Sequence, residues 1–400
     1  MRRYPSLWPS LTKWTALGIS ILSSLVVPTL TPGQKNPLQH EVTVVNVEVP
    51  VRVYDGDRFV ENLTLDDVEV FENGKPQKIE ALYLIKKEGI ARKEGAPSLK
   101  PDVSRYFILC FEAYEKDIRF EEVLDEFFLK VVRPGDTVHI VSPEKAYNLK
   151  PKAIEKLGAK ATAEEIKKKV EGDVFRSGSV YRALIRQLED LHQPGEANDE
   201  LHRMREMELL KEIIDFRTLD QKHLLAFADF LKAASGQKHA FFFYQTENVP
   251  FPPDISDEDR LTLMRSVGID LSLVQKKFAD SSATVHFIFL KPRGFPHLDP
   301  ANPYVQKTDA TKPFTPRDIV EYTPDLFTSF LEISRATGGI SESTQNPVWA
   351  LHKAAESADR YYLLYYKPEN YKPDGSFKKI EVKLKKRGLS VLYRQGYYAK

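Results

Sequence analysis

Two β-patterned regions, one near each end of the chain, most constrain how this sequence can fold. Residues 41–54 alternate apolar and polar side chains, and residues 68–85 add two similar runs around an Asn73-Gly74 turn. Residues 361–393 carry three further runs of strand type. Alternation with period two is the pattern of a strand that buries one face. Neither end has enough strands to close a β-sandwich alone, so we expect the two ends to share one.

The middle of the chain has a different rhythm, in which apolar runs alternate with helical stretches. The runs at 105–111, 137–142, 240–244 and 284–290 are apolar along most of their length, which is typical of strands covered on both faces. Alternating strands and helices predict a mostly parallel sheet with helices on both faces. We therefore expect an α/β domain inserted between the two halves of the sandwich.

This pattern predicts the domain boundaries. Residues 41–88 are expected to form the N-terminal half of the sandwich, 105–358 the α/β domain, and 359–400 the C-terminal half. Residues 86–104 are rich in charge, glycine and proline, and we interpret them as a linker between the first two parts.

Residues 1–33 have the pattern of a signal peptide. Basic residues, among them Arg2 and Lys13, lie before an apolar run at 15–30, and Gly33 offers a small residue for cleavage. An uncleaved membrane anchor is the alternative, although the run is shorter than the ~20 apolar residues that a span needs and a proline interrupts it. We expect a secreted or periplasmic protein, attached to a membrane only if this segment is retained.

Charge and cysteine content exclude several classes of protein. Lys and Arg number 58 and Asp and Glu number 57, so the chain lacks the excess positive charge on which bulk nucleic-acid binding depends. The single cysteine, Cys110, excludes a disulfide framework and lies in an apolar run, which predicts a packed thiol.

The sequence has no G-x-S-x-G elbow, P-loop or His-Glu-x-x-His motif. We therefore expect no enzymatic activity and no nucleic-acid partner.

Three stretches resemble the von Willebrand factor A-related proteins of the acidobacterial type. Residues 47–82, which include LTLDDVEVFENGKPQ, are similar to the opening strands and signature of that family. Residues 333–341 (ISRATGGIS) and 359–399, with RYYLLYY and RQGYY, are similar to its later signatures. The resemblance implies a Rossmann-like von Willebrand factor A domain, mostly parallel with helices on both faces, inserted into an Ig-like β-sandwich formed by N- and C-terminal strands.

The resemblance also indicates where a metal ion would bind. Domains of this type often hold Mg²⁺ or Mn²⁺ with an Asp-x-Ser-x-Ser loop after the first strand, a threonine in a second loop and an aspartate after a later strand. Here the loop after the run at 105–111 places Glu112 at the aspartate position and Tyr114 and Lys116 at the serine positions. A lysine ammonium has no lone pair to donate and repels a cation.

The second and third loops keep little of the metal-binding pattern. The second loop, at 177–181, retains a hydroxyl at Ser179, and we predict that Gly178-Ser179 opens a helix over 180–191. The third loop has Gln245 and Glu247 in the region where the family has aspartate. We expect a degenerate site with no metal ion and no cofactor. The alternative is a rebuilt Mg²⁺ site made of Glu112, Ser179 and Glu247.

We expect the loops at the C-terminal edge of the sheet to bind a protein partner, since open α/β sheets bind their ligands at this edge. The candidate contacts are Glu112, Tyr114, Lys116, Ser179, Gln245 and Glu247. The Pro-rich segment 292–324 leaves the same edge and joins the loops 112–117 and 245–256 as candidate surface. The alternative function is a structural or assembly factor of the cell envelope, with or without a retained N-terminal anchor.

The state of the N-terminus provides the first test. We expect the protein recovered from its native host to begin at Gln34, because the small residue Gly33 suits a signal peptidase. N-terminal sequencing by mass spectrometry measures this directly. Recovery of residues 1–33 in a membrane fraction would instead support the anchored alternative.

Overall fold

The computed structural model of the chain describes most residues from 45 onward. The described ranges are 45–87, 89–95, 100–114, 119–192, 200–217, 221–245, 255–256, 258–259, 262–263, 269–290 and 324–400. The strands are β1 Val47–Asp55, β2 Arg58–Phe59, β3 Val68–Glu72, β4 Lys75–Gln77, β5 Ile79–Lys86, β6 Gly89–Gly95, β7 Arg105–Glu112, β8 Thr137–Val141, β9 Ala146–Leu149, β10 Gln237–Gln245, β11 Ala283–Leu290, β12 Ser341–Thr344, β13 Arg360–Tyr366, β14 Phe377–Leu384, β15 Ser390–Tyr393 and β16 Gly396–Tyr398.

The helices lie almost entirely between β7 and β13. They are α1 Phe120–Glu126, which continues as a π-helical turn over Phe127–Val131, α2 Pro151–Leu157, α3 Ala159–Leu191, α4 Glu200–Arg217, α5 Gln221–Ala233, α6 Leu271–Asp280, α7 Pro324–Thr337 and α8 Pro347–Asp359. None of these described helices is both long enough and apolar enough to cross a membrane.

Strands from both ends of the chain build two antiparallel sheets. The first has the order β15-β1-β13-β5-β6, with β2 also paired to β1, and the second has the order β16-β14-β3-β4. In the first sheet, β1 pairs with β13 from Val47 opposite Tyr366 to Val51 opposite Tyr362. The prediction that the two ends share their β-structure is therefore confirmed at the level of strand pairing.

The two antiparallel sheets enclose one apolar core. Alternate residues of β1, including Val49 and Val51, are fully buried against Val70 of β3 and Val382 of β14. The Asn73-Gly74 turn joins β3 to β4, and its residues have φ values of 49° and 79°. Both angles lie in the left-handed region that a type I′ turn requires, as the sequence predicted.

A third sheet lies in the middle of the chain, with the order β12-β11-β10-β7-β8-β9. Its pairs are parallel except for β8 with β9. Helices α1, α3 and α8 pack against one face through an apolar cluster, and α5, α6 and α7 pack against the other. The prediction of a mostly parallel sheet with helices on both faces is confirmed.

The interpretation of residues 86–104 as a linker is wrong in its middle. Residues Gly89–Gly95 form strand β6, which pairs with β5 along its length. The strand lies at a sheet edge and its side chains are mostly exposed, so it carries charge and glycine instead of the apolar alternation that marks a buried strand. The short strands β9, β12 and β16 were not predicted for a similar reason, because none of them buries a continuous apolar face.

An arginine at the start of β7 ties the parallel sheet to the antiparallel sheets. Arg105 donates from Nε and Nη2 to the carboxylate of Asp136 at 2.9 and 2.6 Å, and from Nη1 to Asp359 at 2.8 Å. Asp359 in turn accepts a hydrogen bond at its backbone carbonyl from the amide of Lys87, which follows β5. The side chains of Arg105 and Asp136 are 1% and 2% exposed, so this ion pair is fully removed from water.

Replacing Arg105 tests the importance of this ion pair. We expect Arg105→Met to lower the free energy of unfolding by about 3–5 kcal/mol, because it leaves a buried carboxylate without its cation. Urea denaturation followed by circular dichroism measures the change.

A matched control is Arg58→Met, which removes the exposed Arg58–Asp55 pair, whose atoms are 3.7 Å apart. We expect this variant to unfold like the parent, since exposed ion pairs contribute little. Equal unfolding midpoints for the Arg105 variant and the parent would contradict the role given to Arg105.

Candidate functional site

One long helix runs through the position where the sequence predicted a loop. Helix α3 spans 33 residues, Ala159–Leu191, with no break at Gly172 or at Gly178-Ser179. The prediction of a separate helix over 180–191 is therefore wrong. Glycine inside a helix costs about 1 kcal/mol relative to alanine, and tertiary packing on both halves of α3 outweighs this cost.

The two halves of α3 pack on different neighbours. The first half places Ile166, Val170 and Val174 against the parallel sheet and α1. The second half extends beyond the sheet and packs on α4 through Tyr181, Leu184 and Leu188. The chain thus forms a helical hairpin, α3 with α4, beside the C-terminal edge of the parallel sheet. The sequence patterns of the two helices did not reveal that they pair.

Gly178 lies at the point where α3 crosses the end of β7. A Cβ atom at this position would lie 2.1 Å from the backbone oxygen of Tyr114. Only glycine therefore allows the helix backbone to approach the loop this closely. The glycine that was interpreted as a helix start is a packing residue in the interior of a helix.

Tyr114 occupies the centre of this edge. Its side chain is 1% exposed, and its backbone amide donates to Oε1 of Gln245 at 2.8 Å. Its hydroxyl donates to Oε2 of Glu112 at 3.1 Å. Its ring contacts the rings of Tyr181 and Phe216, with centroids 6.0 and 5.1 Å away. One residue thus joins the ends of two strands to the helical hairpin.

The described oxygen atoms at this edge form hydrogen bonds within the protein. The carboxylate of Glu112 accepts from Tyr114, and the amide oxygen of Gln245 accepts from a backbone N–H. The hydroxyl of Ser179 donates to the carbonyl of Phe175 on its own helix at 2.8 Å. Across the described ranges, no group of three or more His, Cys, Asp or Glu side chains is placed to hold a metal ion.

The candidate contact residues divide into buried, surface and undescribed positions. Glu112, Tyr114 and Gln245 are 2%, 1% and 0% exposed, so their side chains have no surface to offer a partner. The sequence suggested direct contact between these three side chains and a partner, which their burial does not support. Ser179 lies on the solvent side of α3, whereas Lys116 and Glu247 lie outside the described residues. The segment 292–324 lies almost entirely outside them as well.

The solvent side of α3 beside this edge carries an aromatic residue and an arginine. The side chain of Phe175 is 56% exposed, and the guanidinium of Arg182 lies 5.9 Å from the centre of its ring. Arg182 also donates from Nη2 to the hydroxyl of Ser179 at 3.2 Å. These residues form a continuous strip, which we call the α3 strip and define as Phe175, Ser179 and Arg182.

A buried aspartate, Asp173, also holds α3 in place and was not predicted. Asp173 is 0% exposed and accepts hydrogen bonds from Ser142, Tyr147 and Arg176. Burial and the neighbouring carboxylate raise the pKa of Tyr147. The network attaches the β8–β9 hairpin to α3, so its role is to fix the helix that carries the α3 strip. Single polar residues in a charged helix carry no periodic signal, which is why this contact was not predicted.

Cys110 is a packed residue, as predicted, and so is His139. Cys110 is completely buried in the apolar cluster on one face of the parallel sheet. Burial, with the nearby carboxylate of Glu112, raises the pKa of its thiol. His139 is 2.7 Å from the hydroxyl of Tyr106, and burial lowers its pKa to about 4. Both side chains are neutral at pH 7 and belong to the core.

No protein-family model matches the chain, and no curated protein matches it. Among solved structures, the chain is similar to the human COPII-coat protein Sec24c at 8% identity and a TM-score of 0.32, over 76% of this chain and 45% of that one. It is also similar to a serine-substituted aerotolerance-related membrane protein from Bacteroides fragilis, at 10% identity and a TM-score of 0.27, over 64% of this chain and 98% of that one. The chain spans less than half the length of Sec24c, and similarity this low carries no argument about function.

A pair of glycines in α3 tests the close approach of the helix to Tyr114. We expect Gly178→Ala to lower the free energy of unfolding by about 1–3 kcal/mol, because its Cβ would overlap a backbone oxygen. Chemical denaturation of the purified variant measures the change.

Gly172→Ala is the matched control in the same helix. Its Cβ would meet only the flexible side chain of Arg176, at 3.3 Å. We expect this variant to gain about 0.4–1 kcal/mol, because alanine restricts the unfolded chain more than glycine does. Equal effects of the two substitutions would show that no close approach exists at Gly178.

Proposed function

We propose that this chain is an exported, non-enzymatic protein whose von Willebrand factor A-type domain binds a protein partner. The domain would be inserted into an Ig-like β-sandwich, with boundaries near residues 41–88, 105–358 and 359–400. The resemblance of the terminal stretches to that family supports this proposal, and so does the pairing of β1 with β13 around a mostly parallel sheet. The fold alone does not determine the function, so the case depends on the edge beside Tyr114.

The observation that carries the proposal is the closure of this edge by interlocked side chains. Glu112 and Gln245 each share a hydrogen bond with Tyr114, and all three residues are buried, so none of the three is open to a substrate. Such an arrangement suits a rigid binding surface better than a catalytic site, because the loops that follow β7 and β10 are held at their bases. We assign the three buried residues to positioning these loops.

The α3 strip is the part of this edge that we assign to partner contact. Aromatic residues and arginine are the side chains that most often dominate the energy of protein interfaces. Phe175 presents more than half of its side chain to solvent, and Arg182 lies against its ring. Lys116 and Glu247 also stay candidates for partner contact, because they follow the buried Tyr114 and Gln245 closely in the sequence.

Partner binding through this surface would not depend on a metal ion. In domains that use a metal-ion-dependent adhesion site, the cation takes an oxygen ligand from the partner. Here a lysine stands at one ligand position, and the amide oxygen of Gln245 is used by a backbone N–H. A guanidinium such as that of Arg182 binds carboxylates directly, without a metal ion between them. A partner with an exposed acidic residue therefore fits this surface best.

A capture experiment tests the proposal. The purified chain is immobilised and used to capture proteins from envelope extracts of its native host, with and without EDTA. We expect the double variant Phe175→Ala, Arg182→Ala to bind the captured partner at least tenfold more weakly, as measured by surface plasmon resonance. EDTA should leave capture unchanged.

Leu157→Ala provides the matched control. Leu157 is exposed to a similar extent, 51%, but it lies at the end of α2 and is not part of the α3 strip. We expect this variant to capture the partner like the parent. Capture that survives the double substitution would contradict the assignment of the α3 strip, and capture abolished by EDTA would contradict metal-independent binding.

A further inference from the structure

A buried arginine from the β-sandwich lies at the junction with the parallel sheet. Arg52 extends from β1 and is 1% exposed. Its Nε donates to the backbone oxygen of Ser357 on α8 at 2.8 Å, and its Nη2 donates to the hydroxyl of Thr284 on β11 at 3.2 Å. Its guanidinium also lies 5.5 Å from the centre of the Tyr361 ring on β13. The charge of Arg52 is therefore surrounded by groups from the antiparallel sheet, from the parallel sheet and from α8.

The charge of Arg52 has no carboxylate partner among the residues that the structure describes. Both of its hydrogen bonds go to neutral oxygens. The carboxylate of Glu48, on the same strand, accepts from the hydroxyl of Tyr365 and from the side-chain amide of Gln237. Burial accordingly lowers the pKa of Arg52. Buried charges in proteins are almost always paired, because an unpaired charge in the interior is very costly.

Four buried polar atoms at this junction have no hydrogen-bond partner within the described part of the chain. Three of them, Nη1 of Arg52, the hydroxyl of Tyr361 and Nδ1 of His239, belong to Arg52 and residues around it, and the fourth is Nε of Arg394. His239 on β10 is paired in register with Thr284, the residue that Arg52 contacts, and the charge of Arg52 acts on its imidazole. Each unsatisfied buried polar group costs about 1–3 kcal/mol. A cluster of three such groups beside a buried cation needs a physical explanation.

The two histidines at the junction, His239 and His286, carry no charge that could balance Arg52. His286 accepts a hydrogen bond at Nδ1 from the backbone amide of Ile340 at 3.3 Å, so its proton lies on Nε2, which faces Ser357 at 3.2 Å. Burial and Arg52 lower its pKa to about 3, and they also lower the pKa of His239. Both imidazoles are therefore neutral, and the charge at the junction comes from Arg52.

We propose that this junction binds a small inorganic anion of the chloride class, held by Nη1 of Arg52, the hydroxyl of Tyr361 and Nδ1–H of His239. Each of the three groups can donate a hydrogen bond, and donation from His239 requires its Nδ1–H tautomer. A water molecule would satisfy the donors but would leave the guanidinium charge unbalanced. The anion would stabilise the contact between the sandwich and the parallel sheet.

Replacing one anion in the buffer by another at constant ionic strength tests this proposal. The purified chain is heated in buffers in which sodium chloride or bromide replaces sodium gluconate, whose anion is too large for a buried site. Because the anion would bind only the folded state, we expect the unfolding temperature to rise by about 2–4 °C as chloride reaches ten times its dissociation constant. Bromide should act similarly, and its anomalous scattering in a crystal should place it beside Nη1 of Arg52.

Variants of the junction sharpen the test. Tyr361→Phe removes one donor and should weaken the apparent chloride affinity about three- to tenfold. Arg52→Met should remove the chloride dependence. The control is Arg394→Met, since Arg394 is a second buried arginine at the junction that has the carboxylates of Glu48 and Asp280 nearby. This control should lower the unfolding temperature and keep its chloride dependence.

Two results would overturn the proposal. One is an unfolding temperature of the unmodified chain that does not depend on which anion is present, which would assign the junction to water. The other is a chloride dependence that persists in both Tyr361→Phe and Arg52→Met, which would place the effect elsewhere. The first result needs no variant, so the proposal stays testable even if Arg52→Met does not fold.

Discussion

The pairing of β1 with β13 is the interaction on which the rest of this structure depends. These strands lie side by side in the centre of one antiparallel sheet, although the paired residues Val47 and Tyr366 come from opposite ends of the described chain. Because β13 follows α8 directly, the same pairing fixes where α8 and the parallel sheet lie against the antiparallel sheets. Arg52 of β1 forms its hydrogen bonds only when both parts are in place, because it donates to Ser357 of α8 and Thr284 of β11.

The C-terminal edge of the parallel sheet is closed by packed and hydrogen-bonded side chains. Tyr114 fills the space beside Glu112 and Gln245 with an aromatic ring, and α3 covers it at Gly178. The result is an edge stabilised by hydrogen bonds and ring packing. Its surface then depends on the helix that covers it, which explains why we place the α3 strip, and not the buried loop residues, in contact with a partner.

The sequence predicted those parts of the fold that have a strong periodic signal. The alternation in β1 and the continuous apolar run in β7 each identified a strand, and the Asn73-Gly74 pair identified its turn. Prediction failed where tertiary packing overrides a local preference, as at Gly178, and where a strand buries no apolar face, as in β6. The burial of Tyr114 was not predicted, because it depends on α4, which no local pattern connects to it.

The distance along the chain between β1 and β13 also affects how the protein is made. Strand β1 leaves the ribosome long before β13, and during that interval both of its edges lack their neighbours β13 and β15. Unpaired strand edges are templates for aggregation, and pairings between distant segments form slowly. A chain built in this way needs to be held unfolded until its last strands arrive, so chaperone binding during synthesis should matter more for its yield than for its final stability.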